Sequence, residues 1–260
     1  EDDLVNAMVG RELSKSLYTK KEFYDASSNP ALFQVEGLEK RNALQPIDFV
    51  LREGEIIGFF GLEGSGLNTV SRMIYGLEGR DAGMITYQGQ KLSRITPQEM
   101  IKRNILYLNN NRKQAGLLLD SPTTDNMLLP KMDELSVATI LKKKAIEEFT
   151  EKYIKMFSIV APSVYVKPRF LSGGNQQKLM FSMCSGAKPE LMIVNEPTRG
   201  IDVGAKSELH RFILNASDQG TGFIIFSSDL PELIGLCDRI YIMNNQAIIG
   251  SLEGDEITEE

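Results

Sequence analysis

Apolar and polar positions alternate along "ALFQVEGL", Ala31 to Leu38, and again along "IDFVLR", Ile47 to Arg52, the period of two that predicts half-buried β-strands. "EIIGFFG", Glu55 to Gly61, is different: it is apolar almost throughout, as in a strand covered on both faces, and it ends in glycine. Beyond it "NTVSRMIYGL" puts Val70, Ile74 and Leu77 on one helical face, so strand, glycine loop and helix follow in order. Residues 123–167 carry few strand signals and one long helical stretch, "VATILKKKAIEEFTEKYIKMF", which predicts a helical insertion. After it come a helix opened by "SGGNQQK", a strand "LMIVNE", a helix "AKSELHRFILNA", a strand "GFIIFSS", a short helix "LPELIGLC" and two strands, "RIYIMN" and "AIIGSL". Strands alternating with helices predict an α/β fold whose mostly parallel sheet has helices on both faces. Residues 1–30 pass from a short amphipathic pattern, "LVNAMVGREL", into the polar "YTKKEFYDASSNP", too poor in apolar residues for a core, and read as a linker.

With 260 residues, 42% of them hydrophobic, the chain can build a proper core. No apolar run approaches the roughly 18 to 20 residues that cross a bilayer, and the acidic start does not resemble a secretory signal. The expectation is a soluble, non-exported piece of a longer polypeptide, since no initiating Met is present. A net charge of -6 argues against a nucleic-acid partner, and the basic run in "LKKKAIEEF" is balanced by Glu147 and Glu148 at helical spacing. Cys184 and Cys237 make neither a disulfide framework nor a four-ligand zinc site and are expected to be buried thiols; no residue is assigned as a metal ligand.

The chemistry begins at "GFFGLEGSGLNT", Gly58 to Thr69. Gly61 and Gly66 match the phosphate-loop pattern G-x-x-x-x-G-K-[ST], but Leu67 stands where Lys belongs and Asn68 where Ser or Thr would hold magnesium. In "LSGGNQQK", Leu171 to Lys178, two glycines after a Ser at a helix start expose backbone N–H groups and the positive end of a helix dipole to an anion. An ordinary Ser N-cap with a glycine turn has the same residues, so this stretch alone leaves both readings open. Twenty residues on, "LMIVNEPTRGIDVGAK" is an apolar strand ending in Asn195-Glu196, where nucleotide hydrolases place an Asp for magnesium and a Glu to orient water.

With "SSDLPELIGLCDRI", these motifs resemble the nucleotide-binding cassettes of ABC transporters, and within them the second cassette of the tandem ATPase subunits of ribose, galactose and xylose-type sugar importers. The resemblance covers roughly residues 31–252, and "MVGREL" is similar to the tail of a first cassette. It implies a P-loop NTPase core of residues 31–117 and 187–252 with a parallel sheet and an antiparallel β subdomain, a helical subdomain of residues 118–186, and a tail of residues 253–260. Carried over, the phosphate loop is Gly61, Glu63, Gly64, Ser65, Gly66, Leu67, Asn68 and Thr69. Leu67 replaces the lysine, Asn68 the magnesium hydroxyl and Asn195 the magnesium carboxylate. Asn110 falls near the glutamine-loop position, with Asn111 beside it in "YLNNNRKQAGL", which matches an "EDR"-type loop. Ser228 stands at the switch histidine. The one histidine, His210, lies before that strand and is expected to face solvent. Arg41 and Asn42 fall near the adenine-stacking position.

Two charges about 4 Å apart at an effective dielectric near 20 attract by roughly 4 kcal/mol, so losing the lysine alone weakens nucleotide binding on the order of a thousandfold. The resemblance therefore implies a cassette whose own ATP site is catalytically dead or nearly so, with magnesium doubtful there and Glu196 a remnant base or a carboxylate capping its loop. It further implies that Leu171, Ser172, Gly173, Gly174, Asn175 and Gln176 serve a companion cassette's ATP in trans, with Asp202 in the loop that crosses the interface. The implied partners are that companion, permease subunits at the cytoplasmic membrane face and, through them, an extracytoplasmic sugar-binding protein. Two alternatives are a non-hydrolysing module that holds nucleotide and pins the dimer, and a soluble ABC-type ATPase, against which the absence of basic arms counts. An active site borrowing Lys178 or Lys206 is a third.

Overall fold

The computed structural model describes residues 29–132, 136–137 and 140–257. The expected linker lies outside the described residues except for Asn29 and Pro30, as do the last three tail residues.

Two sheets carry the fold. β1 (Ala31–Lys40), β2 (Leu44–Arg52), β4 (Ala82–Tyr87) and β5 (Gln90–Lys91) form an antiparallel sheet in the order β2-β1-β4-β5. β3 (Ile56–Phe60), β6 (Ile105–Leu108), β9 (Leu191–Asn195), β10 (Gly222–Ser227), β11 (Arg239–Asn244) and β12 (Ala247–Glu253) form the main sheet in the order β12-β11-β3-β10-β9-β6. All its neighbours are parallel except β12, which closes a hairpin with β11. β9 and β10 are buried at every position, which explains their unbroken apolar sequence: both faces of the sheet are covered.

One face packs on the antiparallel sheet and on α1 (Leu67–Tyr75), around Phe59, whose ring lies 4.9 Å from Phe49, 4.8 Å from Phe226 and 5.0 Å from Tyr241. The other face packs on α5 (Gly173–Gly186), α6 (Val203–Asp218) and α7 (Leu230–Leu236). α2 (Pro97–Lys102) precedes β6, and α3 (Thr123–Leu128) and α4 (Lys143–Met156) make up the helical region with α5.

Three expectations need correction. The helical stretch expected from Val137 starts only at Lys143; Ser136–Val137 (β7) and Ile140–Leu141 (β8) pair as a small hairpin, in keeping with the strand preference of β-branched Val and Ile. Leu77 lies beyond α1, because Gly76 ends that helix at φ 80°, its N–H donating to Arg72 and Met73 carbonyls. A Cβ on Gly76 would stand 2.3 Å from the Ile95 carbonyl oxygen, so only glycine fits there. His210 is buried, not solvent-facing: its Nε2 lies 3.0 Å from Glu232 Oε1, also buried. Thr198 (2.7 Å) and Ser227 (2.6 Å) hydroxyls donate to the same carboxylate, which is how so polar a group is tolerated between α6 and α7. Cys237 is buried and Cys184 half-buried, and both are free thiols.

Candidate functional site

Parallel neighbours bring their C-terminal ends to one edge. β3 leads into the loop Gly61–Gly66, β9 into Glu196, β10 into Ser228 and β6 into Asn109–Asn111, so segments far apart in sequence meet there.

The glycine loop has open backbone donors, and its side chains from Gly61 to Thr69 include no cation. Gly64 (φ 86°) and Gly66 (φ 105°) take left-handed conformations that favour glycine, and Gly66 is the N-cap of α1. The first intrahelical bond is Val70 N–H to Gly66 O, 3.0 Å, which leaves the amides of Leu67, Asn68 and Thr69 as open helix-terminal donors. Leu67, however, is turned inward and joins the apolar cluster with Leu44, Val70 and Met243. Ser65 is buried with its Oγ unpartnered against Gly61, where a Cβ would come within 2.5 Å. Its amide donates to Leu62 O (3.0 Å) and its carbonyl accepts from Gln246 N–H (2.9 Å) in the β11–β12 turn. Glu63 and Leu62 are exposed at the tip, so the only charge on the loop has the sign of a phosphate.

Asn195, at the end of β9, is buried, and its Nδ2 donates to Asn68 Oδ1 (3.0 Å), Ser71 Oγ (3.1 Å) and Tyr107 OH (3.3 Å). The three contacts bind β9 to α1 and β6. Tyr75 stacks on Tyr107 at 5.1 Å, and burial pushes its phenol well above the usual range, so that ring stays neutral. A hard cation needs oxygen donors, and here an amide N–H₂ points into the cluster that Asn68 and Asn195 share. Ser71 and Tyr107 belong to this network and escaped the sequence reading, although Ser71 falls one helical turn after Asn68.

Glu196 has φ 50°, a strained backbone for a non-glycine residue. Its N–H donates to Phe226 O (2.8 Å), and its Oε1 accepts from Ser228 N–H (3.0 Å), tying the ends of β9 and β10 together. Ser228 is exposed and supplies no imidazole. Asn110 is exposed beside Asn111, whose Oδ1 caps the five-residue π-turn Arg112–Gly116 by accepting from Gln114 N–H at 3.1 Å. Neither alternative lysine reaches the loop. Lys178 pairs with Glu208 and donates to Ser158 O (3.2 Å), while Lys206 pairs with Asp229 at 2.6 Å. Arg41 and Asn42 lie in the exposed β1–β2 turn.

At the N-terminus of α5, Leu171 and Gly174 are buried, Gly173 is half-buried and Ser172 stands at the surface. Ser172 is exposed and caps α5, its Oγ accepting from Asn175 N–H (3.3 Å) and from Asn175 Nδ2 (3.0 Å). Asn175 Oδ1 accepts from Val160 N–H (2.9 Å), and buried Gln176 donates to the carbonyls of Pro168 (2.9 Å) and Leu171 (3.2 Å). Both therefore brace the turn. Gly174 abuts Asp202 and Ala205, 3.2 Å and 3.1 Å from where its Cβ would be, and Asp202 Oδ1 accepts from Ala205 N–H (2.9 Å) to cap α6. Gln177 Nε2 adds a bond to Pro197 O at 2.7 Å, so helix and loop form one surface.

The family model for the ABC transporter matches residues 44–199. The chain belongs to the ABC transporter family. It is 36% identical to the ribose import ATP-binding protein RbsA of Bacillus subtilis over 259 residues, 100% of this chain and 52% of that protein. It is 37% identical to a putative ribose/galactose/methyl galactoside import ATP-binding protein of Agrobacterium fabrum over 263 residues, 100% of this chain and 51% of that protein. The cassette thus spans about half the length of the curated relatives it matches. Its fold is that of a nucleotide-free ATP-binding cassette from an ABC transporter (TM-score 0.75, 19% identity, 88% of this chain and 93% of that one). A dimeric bacterial ABC transporter cassette is similar too (TM-score 0.73, 17% identity, 85% and 98%). The ABC assignment and the α/β P-loop fold are as the motifs imply.

Proposed function

We propose that this cassette is the non-hydrolysing half of a tandem ATPase subunit in a simple-sugar importer, and that it presents Ser172, Gly173 and Gly174 to ATP held by a companion cassette. The observation that carries the reading is the Asn195 amide, which bonds Asn68, Ser71 and Tyr107 where hydrolysis requires anionic ligands for a cation. Leu67 buried in the core and Glu63 exposed on the loop tip add to it. The trans role is supported by Ser172, exposed at the N-terminus of α5 with Gly173 half-buried after it, and by Phe170, 74% exposed beside it, an apolar group suited to a partner surface.

The sugar-import assignment rests on relatives named for ribose and galactoside import. Permease subunits at the cytoplasmic membrane face, and a sugar-binding protein beyond them, follow from it. Among the described residues no helix is long and apolar enough to cross a membrane, in keeping with a peripheral subunit. Exposed Leu118 and Leu129, where the helical region leaves the core, offer the permease an apolar footing.

Calorimetric titration of the chain with ATP, with magnesium and with EDTA, tests the reading. Binding weaker than about 1 mM, near -4 kcal/mol, and indifferent to magnesium is the expected result. Micromolar binding would favour the nucleotide-pinning role, for which the open amides of Leu67 to Thr69 provide the donors.

A further inference from the structure

Arg112 is not among the residues assigned above, yet three segments around the N-terminus of α5 converge on its guanidinium. Nη1 donates to the Arg199 carbonyl at 3.2 Å and Nη2 to the Gly200 carbonyl at 3.4 Å. Gly173, the first residue of α5, lies so close that a Cβ there would stand 2.8 Å from Nη2. Gly200 itself has φ 69° and sits two residues before Asp202. Arg112 opens the π-turn entered from Asn111, so it reaches from the end of β6 across to the β9–α6 loop and the N-terminus of α5.

We propose that Arg112 is a positioning residue for the companion's ATP site: its planar fork fixes the loop Arg199–Asp202 against Gly173, so that the turn and Asp202 meet the partner as one preformed surface. This rests on the trans role proposed above. Two consecutive carbonyls are matched by a guanidinium, which holds its donors in a fixed plane, and not by a flexible ammonium. A cation at a helix N-terminus is opposed by the dipole, so the carbonyls that retain it there are part of the arrangement. Its charge also lies where an incoming phosphate would be attracted. A preformed surface matters at closure, when the transition state is reached, more than in the first capture of ATP by the companion's own loop.

The test is steady-state ATP hydrolysis by the complete tandem protein, with Arg112→Ala, Arg112→Lys and, as a control of the trans role, Ser172→Arg. Arg112→Ala is expected to lower kcat about tenfold, the size of losing one hydrogen bond to a charged group at the weak end of the range, with KM for ATP within about twofold. Arg112→Lys, which keeps the charge and loses the fork, is expected to stay impaired. Thermal unfolding of each variant identifies loss of fold, and the Lys variant decides the matter if the Ala variant fails to fold. Parental kcat in Arg112→Ala, or full recovery by Arg112→Lys, with Ser172→Arg inactive, overturns the positioning role and leaves the trans role standing. Undiminished turnover in Ser172→Arg removes the trans role, and this inference with it.

Discussion

The loop Gly61–Gly66 and the turn Leu171–Gly174 both bring glycine to the N-terminus of a helix, and they differ in where their side chains go. In the first, Leu67 faces the core, Ser65 fills the space against Gly61, and Asn68 is taken up by Asn195. In the second, Ser172 remains exposed while Asn175, Gln176 and Gln177 fix the backbone behind it. The same helix-terminal donors exist in both. What separates them is whether the side chains turn into the molecule, as on the sealed side, or leave Ser172 at the surface, as on the open side.

The largest effect should come from blocking the open side. In the complete tandem protein Ser172→Arg is expected to cut ATP turnover at least about a hundredfold, as loss of transition-state donors does. Parental turnover would mean that no phosphate approaches this turn. Next is conversion of the sealed side. Leu67→Lys with Asn68→Thr and Asn195→Asp should strengthen ATP binding to the cassette by about tenfold or more, read calorimetrically, without full turnover while Ser228 remains. If the triple variant binds no better than the parent, the loss of charge does not explain the loop.

Much of this was legible in the sequence. The strand, loop and helix around Gly61, the helix opened by Ser172 and the strands through Asn195 and Ser227 follow from periodicity, because parallel strands buried on both faces leave an unbroken apolar signature. That Leu67, Asn68 and Asn195 are uncharged could be read by position. What these side chains touch could not. The bonds of Asn195 to Tyr107 and of Arg112 to Gly200 join residues 88 apart in each case, through sheet order that no local pattern encodes. His210 misled for the same reason: its partner, Glu232, belongs to another helix, and a histidine on a polar stretch reads as exposed until that helix is packed against it. The strand-forming residues of 136–141 misled through propensity, being embedded in an otherwise helical pattern.

Asn195→Asp alone sharpens the comparison in a different quantity, stability. The carboxylate has no proton to return to Asn68 Oδ1, and the Ser71 and Tyr107 hydroxyls can donate to it only by turning from their present bonds, Ser71 Oγ from the Asn68 carbonyl. The expected loss at neutral pH is about 1–3 kcal/mol by chemical denaturation, the cost of a buried group left unsatisfied. Magnesium should not restore it, since Leu67 and Asn68 remain. Recovery on adding magnesium would show that one carboxylate suffices to rebuild the cation site, and that the sealed side is one substitution from function.

The smallest effect is expected at Glu196, and it separates the two sides most cleanly. In a working hydrolase this carboxylate orients the attacking water, and its neutralisation to Gln would lower turnover on the order of a hundredfold or more. Here Oε1 accepts from the Ser228 amide, linking β9 to β10, and a glutamine carbonyl oxygen can accept the same bond. Glu196→Gln in the tandem protein should therefore leave turnover within about twofold of the parent and stability within about 0.5 kcal/mol, as for substitutions that preserve their contacts. A hundredfold fall would mean that this cassette hydrolyses ATP despite Leu67 and Asn195, and the asymmetry drawn between its two glycine turns would no longer describe how the pair divides the work.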